Sequence, residues 1–108
     1  MAIESLTKEE KLLIGRCLYE AANGEYFPDW EFQTLIGVDR QEVRKAASCW
    51  LTDEDISDAA MDTTVAVLNN LLGYPHGRKA DLERATGVSE EKVTVAFTKV
   101  ARPVRTST

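Results

Sequence analysis

Residues able to act as nucleophiles, general bases or metal ligands are sparse in this chain, and their spacing matches no common catalytic motif. His76 is the sole histidine, and Cys17 and Cys49 lie far apart without a C-x-x-C motif. Structural zinc sites need four such ligands, paired at short spacing. The sequence also contains no G-x-S-x-G, H-E-x-x-H or phosphate-binding glycine motif. We therefore expect a protein that is not an enzyme, with no cofactor and no metal site.

Aromatic side chains are concentrated in two segments that also contain proline, residues 26–30 (YFPDW) and residues 74–77 (YPHG). Tyrosine and tryptophan are favoured anchors of protein interfaces, because they bury a large area at low entropic cost. We expect a partly exposed partner-binding patch with an acidic rim, made of Tyr26, Phe27, Trp30, Tyr74, Glu25, Asp29 and Glu31. The alternative is that these rings cover the end of the core or the seam between two halves of the chain.

Two segments share a pattern of apolar, glycine and capping residues, WEFQTLIGVDRQEVRKAA and ADLERATGVSEEKVTVAF. Each has an apolar residue five positions before a glycine, then valine and a capping Asp or Ser, and another valine six positions after the glycine. The pattern resembles that of DNA-binding helix-turn-helix modules, in which the glycine makes the turn and the apolar residues hold two helices at a wide angle. The resemblance implies a shape more than a function, because the same geometry occurs in proteins that do not bind DNA.

The helix after the turn differs between the two segments in a way that matters for DNA. In the second segment it would present Glu90 and Glu91, which repel phosphates, and Val95, which would prefer burial. In the first it presents side chains suited to phosphates and purine edges, the candidate DNA-contacting residues Arg40, Gln41, Arg44 and Lys45. A transcriptional regulator using this first unit is therefore the alternative function. It requires those four side chains to share one exposed face, away from Asp29 and Glu31.

Capping and turn residues predict the elements that position these side chains, and they are all helices. Thr7 and Glu10 form a capping box, and the helix that they start should run through Ala22 and stop at Asn23-Gly24, where a left-handed residue is favourable. Five more helices follow from the same kinds of signal: one from Pro28-Asp29 to before Gly37, one capped by Asp39, one from Ser57 to Gly73, one over 78–86 closed by Gly87, and one from Ser89 to Pro103.

The chain contains two halves that match when the sequence is shifted by 50 residues without a gap. The shift aligns apolar residues with apolar residues and Gly37 with Gly87, which predicts two pseudo-symmetric three-helix halves, each with a helix-turn-helix-like end. We expect one domain, with halves 7–50 and 57–101, an acidic connector at 51–56 and a frayed tail at 102–108. Residues 11–50 and 61–100 should superpose about a pseudo-twofold axis. The predicted core includes Leu18, Phe32, Val43, Trp50, Leu68, Leu71, Leu82, Val93 and Phe97.

The balance of charge disfavours nucleic acids and anionic membranes as partners. The chain has 18 acidic and 13 basic residues and a net charge of −5, so phosphate groups repel it on average. No apolar run approaches the ~20 residues that span a bilayer, and the N-terminus is acidic where a signal peptide would be basic. We expect a cytoplasmic protein whose cysteines are small buried hydrophobes. The densest acidic cluster reads as an interaction patch or solvated surface and consists of Asp53, Glu54, Asp55, Asp58 and Asp62.

These features favour a small acidic helical module that binds another protein, of the inhibitor, immunity or regulatory-adaptor type. Such proteins often present carboxylates to a basic partner. A protein partner, a basic one in particular, is therefore preferred to nucleic acid.

Overall fold

Helices account for all of the regular secondary structure in the described part of the chain. The computed structural model describes residues 6–24, 26–52, 56–73 and 79–106, with side chains for all of these except Lys79 and 101–106. The elements are α1 (Lys8–Asn23), α2 (Asp29–Ile36), α3 (Arg40–Leu51), α4 (Asp58–Gly73), α5 (Lys79–Thr86) and α6 (Glu90–Thr106). The predicted all-α class is thereby confirmed.

Local capping interactions start the helices where the sequence predicts. The Thr7 hydroxyl accepts a hydrogen bond from the Glu10 amide at 3.0 Å, and the Glu10 carboxylate accepts one from the Thr7 amide at 2.9 Å. The Asp39 carboxylate accepts from the amide of Glu42 at the start of α3, and the Ser57 hydroxyl accepts from an amide in the first turn of α4. Each cap satisfies first-turn amides that have no partner within the helix.

The end of α1 differs from the prediction of a left-handed residue. Gly24 has an extended backbone, with φ of −89°, whereas Gly37 and Gly87 take the left-handed conformation, with φ of 93° and 76°. A Cβ atom at Gly24 would lie 2.6 Å from the ring of Tyr26 and 2.8 Å from the Glu20 carbonyl oxygen. The position therefore needs glycine for space, because the chain folds back onto the end of α1.

The prediction that Pro103 ends the last helix is wrong, because α6 continues to Thr106. Proline holds φ near the helical value, but beyond the first turn it removes one amide donor and crowds the carbonyl four residues earlier, so a helix continues through it only at a cost. The remainder of the predicted frayed tail, 107–108, lies outside the described residues.

The predicted core is confirmed with one difference. Of the nine predicted residues, eight are buried, and Phe97 is half-buried against the core. Cys17 is fully buried as expected, and Cys49 is half-buried. Burial raises the pKa of the Cys17 thiol to about 12, so it stays protonated at neutral pH. One buried polar contact joins α3 to α4, where the Trp50 indole donates to the Thr64 hydroxyl at 2.9 Å.

The helices of the two halves pack across each other. The short helix α2 packs on α4 and the short helix α5 packs on α1, while α1 and α4 contact each other. Arg16 on α1 donates to the Ala85 carbonyl at 3.2 Å, and Asn70 on α4 donates to the Leu35 carbonyl at 3.1 Å. The two acceptors are separated by the same shift of 50 that relates the halves.

The main packed helix pairs are the same when each helix of one half is replaced by its counterpart in the other half. The pairs α1–α3 and α4–α6 correspond, as do α3–α4 and α1–α6, but the α1–α3 contact is much the most extensive. This arrangement is compatible with a pseudo-twofold axis. The superposition of the halves and the division into a single domain stay predictions.

Candidate functional site

The aromatic patch expected from the sequence is not formed as predicted. Tyr26 and Phe27 are buried in the core, so the expectation that they are exposed is wrong. Trp30, in contrast, is 79% exposed. Tyr74 and Glu25 lie outside the described residues. Of the rim acids, Asp29 is exposed and paired with a cation, and Glu31 is half-buried.

Arg40 contacts the backbone of the first aromatic segment at Phe27, which is buried. Its guanidinium donates to the carbonyl oxygens of Ala21 (3.4 Å), Ala22 (3.0 Å) and Phe27 (3.0 Å). It also forms a 2.7 Å ion pair with Asp29 and lies 4.3 Å from the centre of the Phe32 ring. Arginine suits this position because its planar fork of donors can bond several acceptors at once. The segment between α1 and α2 is thus held against the core.

The same contacts contradict the exposed basic face that the DNA-binding alternative requires. Arg40 turns toward α1 and α2 and pairs with Asp29, so the expectation that it shares a face with the other three residues, away from that acid, is wrong. Gln41, Arg44 and Lys45 are exposed. Arg44 donates to the side-chain oxygen of Asn23 at 2.9 Å, and Lys45 lies 3.4 Å from the carboxylate of Glu42. The carboxylate of Glu42 offsets the charge of Lys45, whereas the bond to Asn23 orients Arg44 and leaves its charge unchanged.

Three exposed large apolar side chains line one groove beside α1 and α6. They are Leu12 (42% exposed), Leu51 (38%) and Val95 (52%), and the half-buried Leu13 and Val88 also line it. The groove has a volume of about 770 Å³. We call it the α1–α6 groove. Large contiguous apolar patches on a surface mark interaction sites, whereas single exposed apolar side chains are normal.

A close approach of α3 to α1 brings Leu51 into this groove. A Cβ atom at Gly15 would lie 2.9 Å from the Leu51 side chain and 3.0 Å from the Cβ atom of Trp50. Glycine at this position therefore lets the end of α3 lie directly on α1. Leu12 lies on the outer face of α1, one turn before Arg16.

An ion pair joins the two helices that line the groove. The Lys99 ammonium on α6 lies 2.8 Å from the Glu10 carboxylate on α1. The hydrogen bond from Lys99, followed by that from the Thr7 amide, lowers the pKa of Glu10 below its ordinary value of 4.5. The charged form of Glu10 is therefore favoured by folding.

This pKa shift predicts a coupling between Glu10 and Lys99 that depends on pH. Because the folded pKa is the lower one, the stabilisation is fully present above the unfolded pKa and is lost as pH falls through the folded pKa. In a double-mutant cycle of Glu10→Gln and Lys99→Met, measured by urea unfolding, we expect coupling at pH 7 that weakens as the pH is lowered below 4.5, the ordinary pKa of Glu10. A coupling that does not change with pH would contradict the ion pair.

A second groove occupies the equivalent place in the other half, and its lining is different. It has a volume of about 560 Å³ and lies between α4 and the turn from α2 to α3. Shifted by 50, its residue Val38 corresponds to Val88 of the α1–α6 groove. Its residues Asp62 and Lys45 correspond to the apolar pair Leu12 and Val95. At these two pairs of aligned positions, charged residues line one groove and apolar residues line the other.

Sequence reasoning missed Leu12 and Leu51 and noted Val95 only as unsuited to a DNA-binding face. A comparison of exposed positions between the halves could have found Leu12 and Val95, because they align with the charged residues Asp62 and Lys45. The three side chains line one groove because of which helices are neighbours, and the periodicity of a single helix does not contain this information.

Among the described residues, no group of three His, Cys, Asp or Glu side chains could hold a metal ion. The same residues contain no helix long and apolar enough to cross a membrane. Comparisons with protein-family models, curated proteins and solved structures gave no match to this chain.

Proposed function

We propose that this protein is a non-enzymatic helical module that binds another protein, as an inhibitor, immunity factor or regulatory adaptor does. We further propose that it binds through the α1–α6 groove. The observation that carries the proposal is the contrast between the grooves. Leu12 and Val95 are exposed and apolar, whereas the equivalent residues Asp62 and Lys45 are charged. Packing of the helices therefore does not require apolar residues at these positions, and binding gives a reason for them.

Burial of this surface would contribute a useful part of an affinity. Fully burying a leucine or valine side chain is worth about 1.5–3 kcal/mol, and roughly half of this remains available for side chains that are already half-covered. A carboxylate placed in the same interface without a partner would instead carry a desolvation cost of several kcal/mol. Substituting aspartate at Leu12 should therefore remove binding.

The test is co-purification of a partner from the native cells with matched variants. Leu12→Asp and Val95→Lys introduce the residues that the other half has at the equivalent positions. We expect each to reduce the captured partner at least about ten-fold, equal to about 1.4 kcal/mol, with little change in thermal midpoint. Tyr19→Asn is the control, because Tyr19 is 46% exposed on α1, does not line the groove, and aligns with Asn69.

Two results would overturn the assignment of this groove. One is full retention of the partner by Leu12→Asp, and the other is an equal loss in Tyr19→Asn. Trp30→Ala belongs in the same series, because Trp30 is the exposed residue of the originally expected aromatic patch. A loss in Trp30→Ala alone would move the binding site to α2.

DNA binding is not proposed as a second function. The side chain of Arg40 is bonded to three backbone carbonyls and to Asp29. The net charge of −5 also opposes approach to phosphates.

A further inference from the structure

The α1–α6 groove is lined by residues of α1 and α6, by Leu51 at the end of α3 and by the turn from α5 to α6. Glu10, near the start of α1, contacts Lys99, far along α6. Arg16, further along α1, bonds the carbonyl of Ala85, which lies near the end of α5 and shortly before α6 begins. These two contacts indicate that α1 and α6 run in opposite directions. The side-chain ridges of one helix pack into the grooves of another at an interaxial distance of about 8–10 Å, so a partner helix can pack on this surface.

Two other common modes of peptide recognition require features that the described lining of this groove does not have. Addition of a β-strand requires an exposed sheet edge with unpaired backbone groups, but the described lining consists of helices and the turn from α5 to α6. Polyproline segments dock on grooves lined by aromatic rings, and no aromatic residue belongs to the described lining of this groove. A helix with an apolar stripe at positions i, i+3 or i+4, and i+7 remains as the fitting occupant.

Charge favours a basic occupant over a second copy of the chain. The chain carries a net charge of −5, so two copies repel each other and a cationic protein is attracted. Each ion pair of the described part takes up one acid together with one base, so these pairs do not change the balance.

We infer that the α1–α6 groove binds an amphipathic helix of a basic protein, with the apolar stripe on Leu12, Leu51 and Val95 and lysine or arginine beside the stripe. The inference rests on the proposed function and specifies the kind of segment that is bound. It predicts that a short isolated peptide with this pattern binds the protein and becomes helical on binding.

The experiment is a selection from an unbiased displayed library of 16-residue peptides, each about 24 Å long as a helix. Purified wild-type protein is the bait, and Leu12→Asp is used for counter-selection. Selected peptides are then synthesised and their binding is measured by fluorescence anisotropy. We expect helical spacing of apolar residues, an excess of Lys and Arg over acids, and binding that is at least ten-fold weaker to Leu12→Asp and to Val95→Lys. Tyr19→Asn should bind like wild type.

The charge and the helix are tested separately on the selected peptides. Changing their Lys and Arg residues to Glu should weaken binding at least ten-fold, and circular dichroism should report a gain of helix on binding. Equal affinity of the charge-reversed peptide would overturn the basic character. Alternating apolar spacing, or binding without a gain of helix, would overturn the helical one. The groove would stay a protein-binding site in either case.

Two further outcomes separate this inference from the proposed function. If no selected peptide depends on Leu12, the inference is wrong, and the co-purification test with the same variants decides the proposed function independently. If sedimentation reports a wild-type dimer that Leu12→Asp abolishes, the occupant is a second copy, and the inference of a basic partner is overturned.

Discussion

Replacement of Arg40 by lysine is expected to lower the free energy of unfolding by about 2–4 kcal/mol. The guanidinium bonds the carbonyls of Ala21, Ala22 and Phe27. The first two belong to the last turn of α1, where carbonyls have no partner within the helix. Lysine keeps the positive charge, but its compact ammonium cannot reach acceptors spread around a planar fork. At least two carbonyls of buried residues would then lose their donor.

The exposed ion pair provides the control for this prediction. Asp29→Asn removes the charge that faces Arg40, but the Asp29 side chain is almost fully exposed. Exposed pairs contribute at most about 1 kcal/mol, so this variant should be nearly as stable as wild type. Equilibrium urea unfolding, with the slope of the transition checked for constancy, measures both variants. If Asp29→Asn costs as much as Arg40→Lys, the ion pair and not the carbonyl contacts holds the segment.

Local signals in the sequence correctly predicted the starts and turns of the helices. The capping box of Thr7 and Glu10, the Asp39 cap and the helix ends at Gly37 and Gly87 are all found, whereas the left-handed residue predicted at Asn23-Gly24 is not. These features depend on residues within about four positions of one another, because a cap or a tight turn satisfies backbone groups of its own turn. One sequence therefore contains all that is needed to recognise them.

The burial of Tyr26 and Phe27 could not be predicted in the same way. An aromatic segment with proline has the same composition whether its rings face solvent or the core. Here the outcome depends on Arg40, which is more than ten positions away in the sequence and reaches back to the Phe27 carbonyl. The prediction of Arg40 as a DNA contact failed for the same reason. Helical spacing gives the face of the helix on which a residue lies, but it does not give the position of the guanidinium at the end of a long side chain.

The α1–α6 groove also could not be predicted from the sequence, because it depends on the packing of helices that are distant in the chain. Leu12, Leu51 and Val95 come from three different helices and line one groove because α1 packs against both α3 and α6. The repeat is visible in the sequence, but it was used only to compare apolar residues expected to be buried. A comparison of exposed positions shows that Leu12 and Val95 align with the charged residues Asp62 and Lys45.

The second large effect is expected at the centre of the core, where Leu68→Ala should lower the free energy of unfolding by about 2–5 kcal/mol. Leu68 is fully buried on α4, a helix that packs against α1, α2, α3 and α6. The loss combines the transfer of the removed atoms with the cavity left behind, and helices held on several sides have little room to close that cavity.

Two other leucines provide the comparison: Leu12 tests whether the loss requires burial, and Leu18 tests whether the aligned position in the other half is equally important. Leu12→Ala, on the exposed face of α1, removes the same atoms from a half-exposed side chain and should cost less than about 1 kcal/mol. Leu18 is as deeply buried as Leu68 and aligns with it at the shift of 50. If the halves are equivalent, Leu18→Ala should fall in the same range as Leu68→Ala. If urea unfolding gives Leu68→Ala a loss below about half a kcal/mol, well under the usual cost, the placement of Leu68 in the core is wrong.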